Sequence, residues 1–351
     1  YQLLNIESVF PLLFLWIVGG FLALCGALSY GELATIYPRS GGEYSLLSSI
    51  IHPSIGFCAG LISATIGFAA PSVLASIAFA NYLSTIFDFI NIKLISIIII
   101  LVFHVIHISS IKVGTSFQNI STFIKIVFII IFILYGFRID NPQKLVVIPT
   151  GKDFNIIFSS FFAVSLIWVT YAYTGWNSII YIASEVKKPY KNISKSMFFS
   201  TLTVMFLYVL LNYIFLYTAP ISSLMGEVEV AHISGKYIFG EGGGKIISIG
   251  ISLLLLSTVS SYVYIGPRVM EVMGEDYKIL SFLKKTDSKK IPINAFLLQF
   301  LISFVFILTS SFEQVLMYTG ISLILTSSIT VFALFLSRAK NKNLKRPYKT
   351  W

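Results

Sequence analysis

In this chain of 351 residues, 56% are hydrophobic and only 11% charged, and the mean hydropathy is +0.86. Soluble domains carry about 25% charged residues, so this composition excludes them. The net charge of +10 comes from lysines gathered in a few loops between apolar runs, which speaks for membrane topology and not for nucleic-acid binding.

The apolar runs are long. A helix needs about 20 residues to cross a hydrocarbon core ~30 Å thick, and no ten-residue alternation of the barrel type is present. Nine spans are expected, near 10–34, 54–82, 93–110, 117–137, 156–184, 197–219, 245–266, 291–310 and 314–337. The chain opens at Tyr1 without an initiator Met or signal peptide and is read as a fragment. The first span holds Cys25 and is flanked at its far end by Glu32 and Arg39. The second holds Cys58 and Pro71. Both cysteines fall within apolar runs and are expected to be small buried side chains, with no disulfide framework and no metal set. Pro71 is expected to kink its helix. In the third span, His104 and His107 share a helical face, but no third ligand or HExxH pattern accompanies them, so they are read as polar contacts inside a bundle.

The fourth span contains Lys125, eight residues past Phe117 and ~12 Å along a helix. Two readings stand. The amine snorkels back to the interface, or it faces the bundle interior, where charges mark ion or proton pathways.

The fifth span is 27 residues from Phe158 to Ser184 and carries the run Tyr173–Thr174–Gly175–Trp176–Asn177. Continuous helix would reach ~40 Å, more than the core requires. Gly175 weakens helix by roughly 1 kcal/mol relative to Ala, and Thr174, Asn177 and Ser178 can cap a new start. Unwound backbone at this depth is tolerated only where it is buried or lines a cavity, and discontinuous helices are how many secondary transporters bind substrate. The freed carbonyls of Val169, Thr170 and Tyr171 would then accept hydrogen bonds from an ammonium group. A glycine-weakened but continuous helix is the other reading.

Further on, GEGGGK (240–245) has the glycines of a phosphate loop, but Ile246 follows and no strand precedes it, so a flexible loop is expected. Loops after the odd-numbered spans hold eighteen of the 25 Lys and Arg and loops after the even-numbered spans hold six, which places the first set in the cytoplasm. The sequon at Asn192 is then cytoplasmic and not glycosylated. Glu32, Arg39 and Glu185 flank cytoplasmic helix ends. They form either a salt-bridged inner gate or solvated interfacial charges.

GALSYGELATIYPRSGGEYSLL (26–47), YAYTGWNSIIYIASEVKKPYKNIS (171–194) and RPYKTW (346–351) resemble the amino acid–polyamine–organocation (APC) superfamily. The likeness is greatest to its L-type amino acid transporter branch and bacterial relatives. APSVLASIAFANYL (70–83) and SSYVYIGPRVMEVMGED (260–276) are weaker matches. The resemblance implies an all-α integral membrane protein with the leucine-transporter fold, two inverted five-helix repeats. The nine spans would be helices two to ten. Residues 1–140 would carry helices two to five and residues 150–340 helices six to ten, in a single transmembrane domain lacking the first helix and the last two. The family's Gly-Ser-Gly break in that first helix, which holds the substrate carboxylate, is not found before Phe10; the fragment alone is not expected to transport, the full parent is.

The resemblance further implies a secondary active amino acid permease, not an enzyme and without a cofactor. Tyr171 matches the gating aromatic, where Phe is common. Tyr173 and Thr174 occupy the variable pair, Gly175 and Trp176 match the Gly-Trp pair, and Asn177 matches a polar position facing substrate. With no charge in the segment, a neutral zwitterion is the expected cargo. Lys125 matches a fifth-helix lysine of proton-coupled prokaryotic members, which favours its interior reading, with exchange left open. The loop Ser84–Lys93 has no cysteine, so no disulfide-linked heavy chain is expected. An amino acid-binding sensor or degenerate non-transporting homologue is the alternative. A membrane enzyme would need clustered Asp, Glu or His, and these are scattered.

Overall fold

The computed structural model describes residues 2–4, 6, 8–87, 89–109, 111–288 and 291–350; the side chains at 111–117 and 185 lie outside it. Among the described residues the regular structure is entirely helical. The main elements are α1 (Val9–Ile36), α2 (Glu43–Ile50), α3 (Pro53–Ser84), α4 (Ile92–Ser109), α5 (Ile111–Gly136), α6 (Gly151–Ile157) and α7 (Ser160–Ala172). A 3₁₀ segment (Ser178–Glu185) follows, then α8 (Pro189–Thr218), α9 (Val230–Asp276), α10 (Ile293–Thr309) and α11 (Phe312–Lys340). Among the described residues seven helices are long and apolar enough to cross a membrane, and eight if the bent pair α6–α7 is one span. With the shorter apolar helix Ile293–Thr309, helices stand at all nine positions expected from the sequence, in an integral membrane bundle.

The first helix owes its close packing to small residues. Gly20 leaves room for Met205 of α8 and the Tyr173 hydroxyl, Gly26 lies against the Trp176 ring, and Gly31 against Ser194 of α8. Backbones approach closely where side chains are absent, which is how helices associate in lipid. α9 packs on the second half of α3, α10 on α4, and α11 on α7.

Three local expectations are corrected, those for the cysteines, for GEGGGK and for the fifth span. Both cysteines are free and exposed rather than buried, and Cys25 borders a cavity between α1, α7 and α11. Pro71 sits at the start of the regular helix Ala70–Ser84, directly after a π-helical stretch, Ser63–Ala69. The wider turn accommodates the residue that cannot donate. GEGGGK is not a loop. It is a tight corner between two helices: Gly240 alone leaves helical geometry, at φ +77°, and the chain folds back there, so that His232 Nδ1 lies 3.0 Å from the Gly244 carbonyl, before the second helix runs on to Asp276. The fifth span is also three pieces instead of one interrupted helix: α6 and α7 meet at 65°, where Ser159 caps α7 by accepting from the Phe162 N–H at 3.3 Å.

The loops assigned by charge to the cytoplasm meet one another. Arg39 reaches Asp276, Glu32 reaches the segment after α11, and Ser40 reaches Ser184. At the opposite end Ser8 donates to Asp153, and the Thr85 hydroxyl to that of Ser248.

Candidate functional site

The apolar helix α7 ends at Ala172. The Tyr173 N–H still reaches the Val169 carbonyl at 3.2 Å, but the next amide, Thr174, turns in to Tyr171 O at 2.9 Å, and the Thr174 hydroxyl donates to the same oxygen at 2.6 Å. Gly175 then takes φ +105°. An added Cβ there would meet nothing closer than Ser178 Oγ at 3.7 Å, so it is the backbone conformation and not crowding that requires glycine. The chain resumes as a 3₁₀ segment with Ser178 N–H on Gly175 O and Ile180 N–H on Asn177 O. Among the described residues no group donates to the carbonyls of Thr170 or Ala172. Each such group buried in a membrane protein is costly unless a cavity or ligand serves it.

Cavities surround the break. One of about 380 Å³ lies towards the outer end, with Trp16, Trp168, Tyr171 and Ala172 in its wall. Another, about 530 Å³, lies between α1, α7 and α11, bordered by Gly26, Thr170, Tyr171, Thr174, Trp176 and Gly320. Tyr171 borders both. A third of about 260 Å³ runs between residues 172–176 and α8. Six of the eight residues singled out from the sequence thus line cavities at the break: Thr170, Tyr171, Tyr173, Thr174, Gly175 and Trp176. The two others do not. Val169 is fully buried against Gly19, and its carbonyl is taken by Tyr173. Asn177 turns away towards the cytoplasmic side and donates from Nδ2 to Glu43 Oε1 at 2.6 Å. Tyr173 is mostly packed, its hydroxyl donating to Trp16 O at 2.9 Å and its ring against Tyr208. The Trp176 ring stands edge-on to Tyr30 at 4.8 Å.

Lys125 does not lie at the break. Its Nζ donates to Thr258 Oγ1 of α9 at 2.8 Å, so it faces the bundle rather than snorkelling to the interface. Elsewhere on α9, His107 Nε2 and Ser260 Oγ are 2.9 Å apart, while His104 Nδ1 contacts the Ile100 carbonyl at 2.8 Å. Among the described residues no set of three His, Cys, Asp or Glu is placed to hold a metal.

The cytoplasmic charges pair differently from the sequence expectation. Glu32 and Arg39 do not meet. Glu32 is fully buried and held by Arg338 at 2.5 Å, Arg346 at 2.8 Å and the Thr350 N–H at 2.8 Å. Arg39 instead reaches Asp276 at 2.8 Å and Glu275 at 3.5 Å. The Glu185 side chain lies outside the described residues. Sequence reasoning missed Glu43, buried beneath the break with Tyr30, Asn177 and Tyr181 round its carboxyl group. The available signal was an acid in SGGEY, immediately before an apolar helix.

A helical membrane bundle with one helix unwound at a glycine, carbonyls left open at the break and cavities on either side of an aromatic residue is the architecture of a secondary transporter. The chain matches the amino acid permease family over residues 3–351 and belongs to it. It is 27% identical over 345 residues to the serine/threonine exchanger SteT of Bacillus subtilis (strain 168), covering 96% of this chain and 77% of that protein. It is 25% identical over 362 residues to the b(0,+)-type amino acid transporter 1 of Mus musculus, covering 99% and 72%. Identity to the large neutral amino acids transporter small subunit 2 of Homo sapiens is 26% over 355 residues, covering 98% and 66%. This is a multi-pass membrane permease for amino acids, not an enzyme.

Proposed function

We propose that the permease carries a small neutral amino acid by alternating access, with its ammonium group at the open carbonyls of Thr170 and Ala172. The observation that carries this reading is the run of unserved carbonyls at the break, those of Thr170 and Ala172 among them, beside the two cavities next to α1 and α8 whose walls hold no charged side chain; of the three cavities the outer one carries an acid, Glu227. A cationic cargo would call for a carboxylate there, and an acidic one for a lysine or arginine. Residues 171–176 form the substrate-facing wall, and Tyr171, which borders the outer and inner cavities, is the gate. Residues 1–140 and 150–340 are read as the two repeats, and the bundle containing the broken helix is read as moving against a scaffold of α3, α4, α9 and α10. Two of the three relatives carry names that agree with a neutral cargo, the serine/threonine exchanger and the large neutral amino acids transporter, while the third is named as b(0,+)-type.

Lys125 supports proton coupling, because its amine bridges α5 and α9 through Thr258 and no carboxylate pairs with it among the described residues. The test is uptake of serine, threonine and leucine by the full-length protein in proteoliposomes at pH 5.5 and 7.5, with Lys125→Ala alongside. Neutral substrates are expected to accumulate more at pH 5.5, and Lys125→Ala to abolish that difference. Undiminished acid-driven accumulation in the variant removes the coupling role, and leaves exchange as the mode.

A further inference from the structure

Transport as proposed makes no use of the contacts that sew the first cytoplasmic loop to the short half of the broken helix. Glu43, at the start of α2, is 2% exposed. Three neutral donors surround its carboxyl group: Tyr30 OH at 3.1 Å and Asn177 Nδ2 at 2.6 Å on Oε1, and Tyr181 OH on Oε2. Tyr30 comes from α1, whereas Asn177 and Tyr181 come from the far side of the break. Around this centre the Gly41 N–H donates to Tyr181 O at 3.3 Å, the Ser184 N–H to Ser40 Oγ at 3.3 Å, and the two serine hydroxyls lie 2.6 Å apart. Gly42, at φ +61°, lays its backbone on the Tyr181 ring so tightly that no Cβ fits.

The groups facing this centre are polar but uncharged. Tyr30 is further supported from α11 by Ser327 and Thr330. From α3, the Phe68 ring lies edge-on to Tyr181 at 4.8 Å and Ser63 Oγ is 3.4 Å from its hydroxyl. From α9, Asp276 is turned to Arg39 and to Tyr44, whose hydroxyl donates to it at 2.6 Å. Among the described residues no cation pairs with Glu43. An ionised carboxylate so placed, with no cation beside it, is expensive, whereas the neutral acid keeps the two bonds on Oε1 and reverses the third, its Oε2–H donating to the Tyr181 hydroxyl oxygen. Burial pushes the Glu43 carboxyl above the usual carboxylate range, against the hydrogen bonds from Asn177 and Tyr30.

We propose that Glu43 is a proton-operated latch, which holds the loop Ser40–Glu43 against the half-helix Ser178–Glu185 when neutral and releases it when ionised. The latch closes the cytoplasmic side of the permease, and it rests on the transport reading only for what it gates. The direction follows from linkage. Closed, the buried carboxyl holds its proton more tightly than when open and hydrated. Closure is therefore fully favoured below the ordinary carboxylate value of about 4.3 and is lost as pH rises through the raised value.

The experiment uses the full-length protein with Cys25 and Cys58 replaced by alanine, together with any cysteine outside this sequence, and the pair Ser40→Cys/Ser184→Cys introduced. Disulfide formation under a mild oxidant is timed at pH 5.5 and pH 8 and divided by the rate of the same protein carrying Glu43→Gln, which cancels the pH dependence of thiol chemistry. The ratio is expected near unity at pH 5.5 and at least threefold lower at pH 8. An equal ratio at both pH values overturns the latch. Where Glu43→Gln does not fold, amide exchange of residues 178–185 in the unmodified protein, corrected for intrinsic rates, takes its place. Protection at least threefold weaker at pH 8 supports the latch, and unchanged protection overturns it. Amino acid uptake by the same preparations separates the two claims: pH-dependent cross-linking without uptake sinks transport and keeps the latch, and uptake with pH-independent cross-linking does the reverse.

Discussion

Gly175 and Glu32 are single residues whose chemistry can be tested without touching the rest. At φ +105° an alanine in place of Gly175 loses its backbone conformation, a strain of about 1 kcal/mol or more. Gly175→Ala is expected to reduce uptake at least tenfold while the protein still inserts and purifies as a monodisperse species, read by transport assay and gel filtration. Glu32 is fully buried between two arginines. Removing one partner of a buried charge cluster typically costs about 3–5 kcal/mol, because the remaining charges are left unpaired. Glu32→Gln should therefore lower the thermal midpoint in detergent markedly. Arg39→Ala removes only half-exposed ion pairs, worth about 0–1 kcal/mol, and is expected to leave that midpoint within error of the parent.

At the level of elements, the broken helix is the structural unit on which transport turns. Its first half, α7, has regular α-helical geometry; its second half is a 3₁₀ segment in which Ile182 departs from helical angles altogether. 3₁₀ bonds are poorer in geometry than α-helical ones, so the amides of residues 174–182 should exchange with solvent faster than those of 163–171. Hydrogen exchange read by mass spectrometry checks this, and equal protection on both sides of Gly175 would contradict it. The position of the break was legible, since a glycine among cap-forming residues in an apolar run leaves few alternatives. The 3₁₀ character of the second half was not, because it depends on Tyr181 and Ser184 being tied to the loop at Ser40–Glu43, contacts more than a hundred residues away in sequence. Local composition misled at GEGGGK, where four glycines suggested a loop; only Gly240 bends the chain and its neighbours are held in helix by packing. Asn177 was legible as a polar residue of the break, but its direction was not, since the partner that turns it, Glu43, arrives from the first cytoplasmic loop.

For the whole molecule, the sequence by itself determined the class and the positions of the apolar helices. Nine apolar runs of membrane length and a lopsided distribution of lysines leave little freedom, because hydrocarbon tolerates neither unpaired backbone nor scattered charge. Resemblance in three motifs then pointed to the family that the match over residues 3–351 establishes. The tertiary structure decided what no local pattern carries: that Glu32 pairs with Arg338 and Arg346 and not with Arg39, that Lys125 meets Thr258, and that Glu43 lies under the break. The physical reason is one of range. Hydrophobic period and charge bias act within a single segment and are written in consecutive residues. The partner of a buried polar group is chosen by which helices come to lie side by side, and that choice exists only once the bundle has closed.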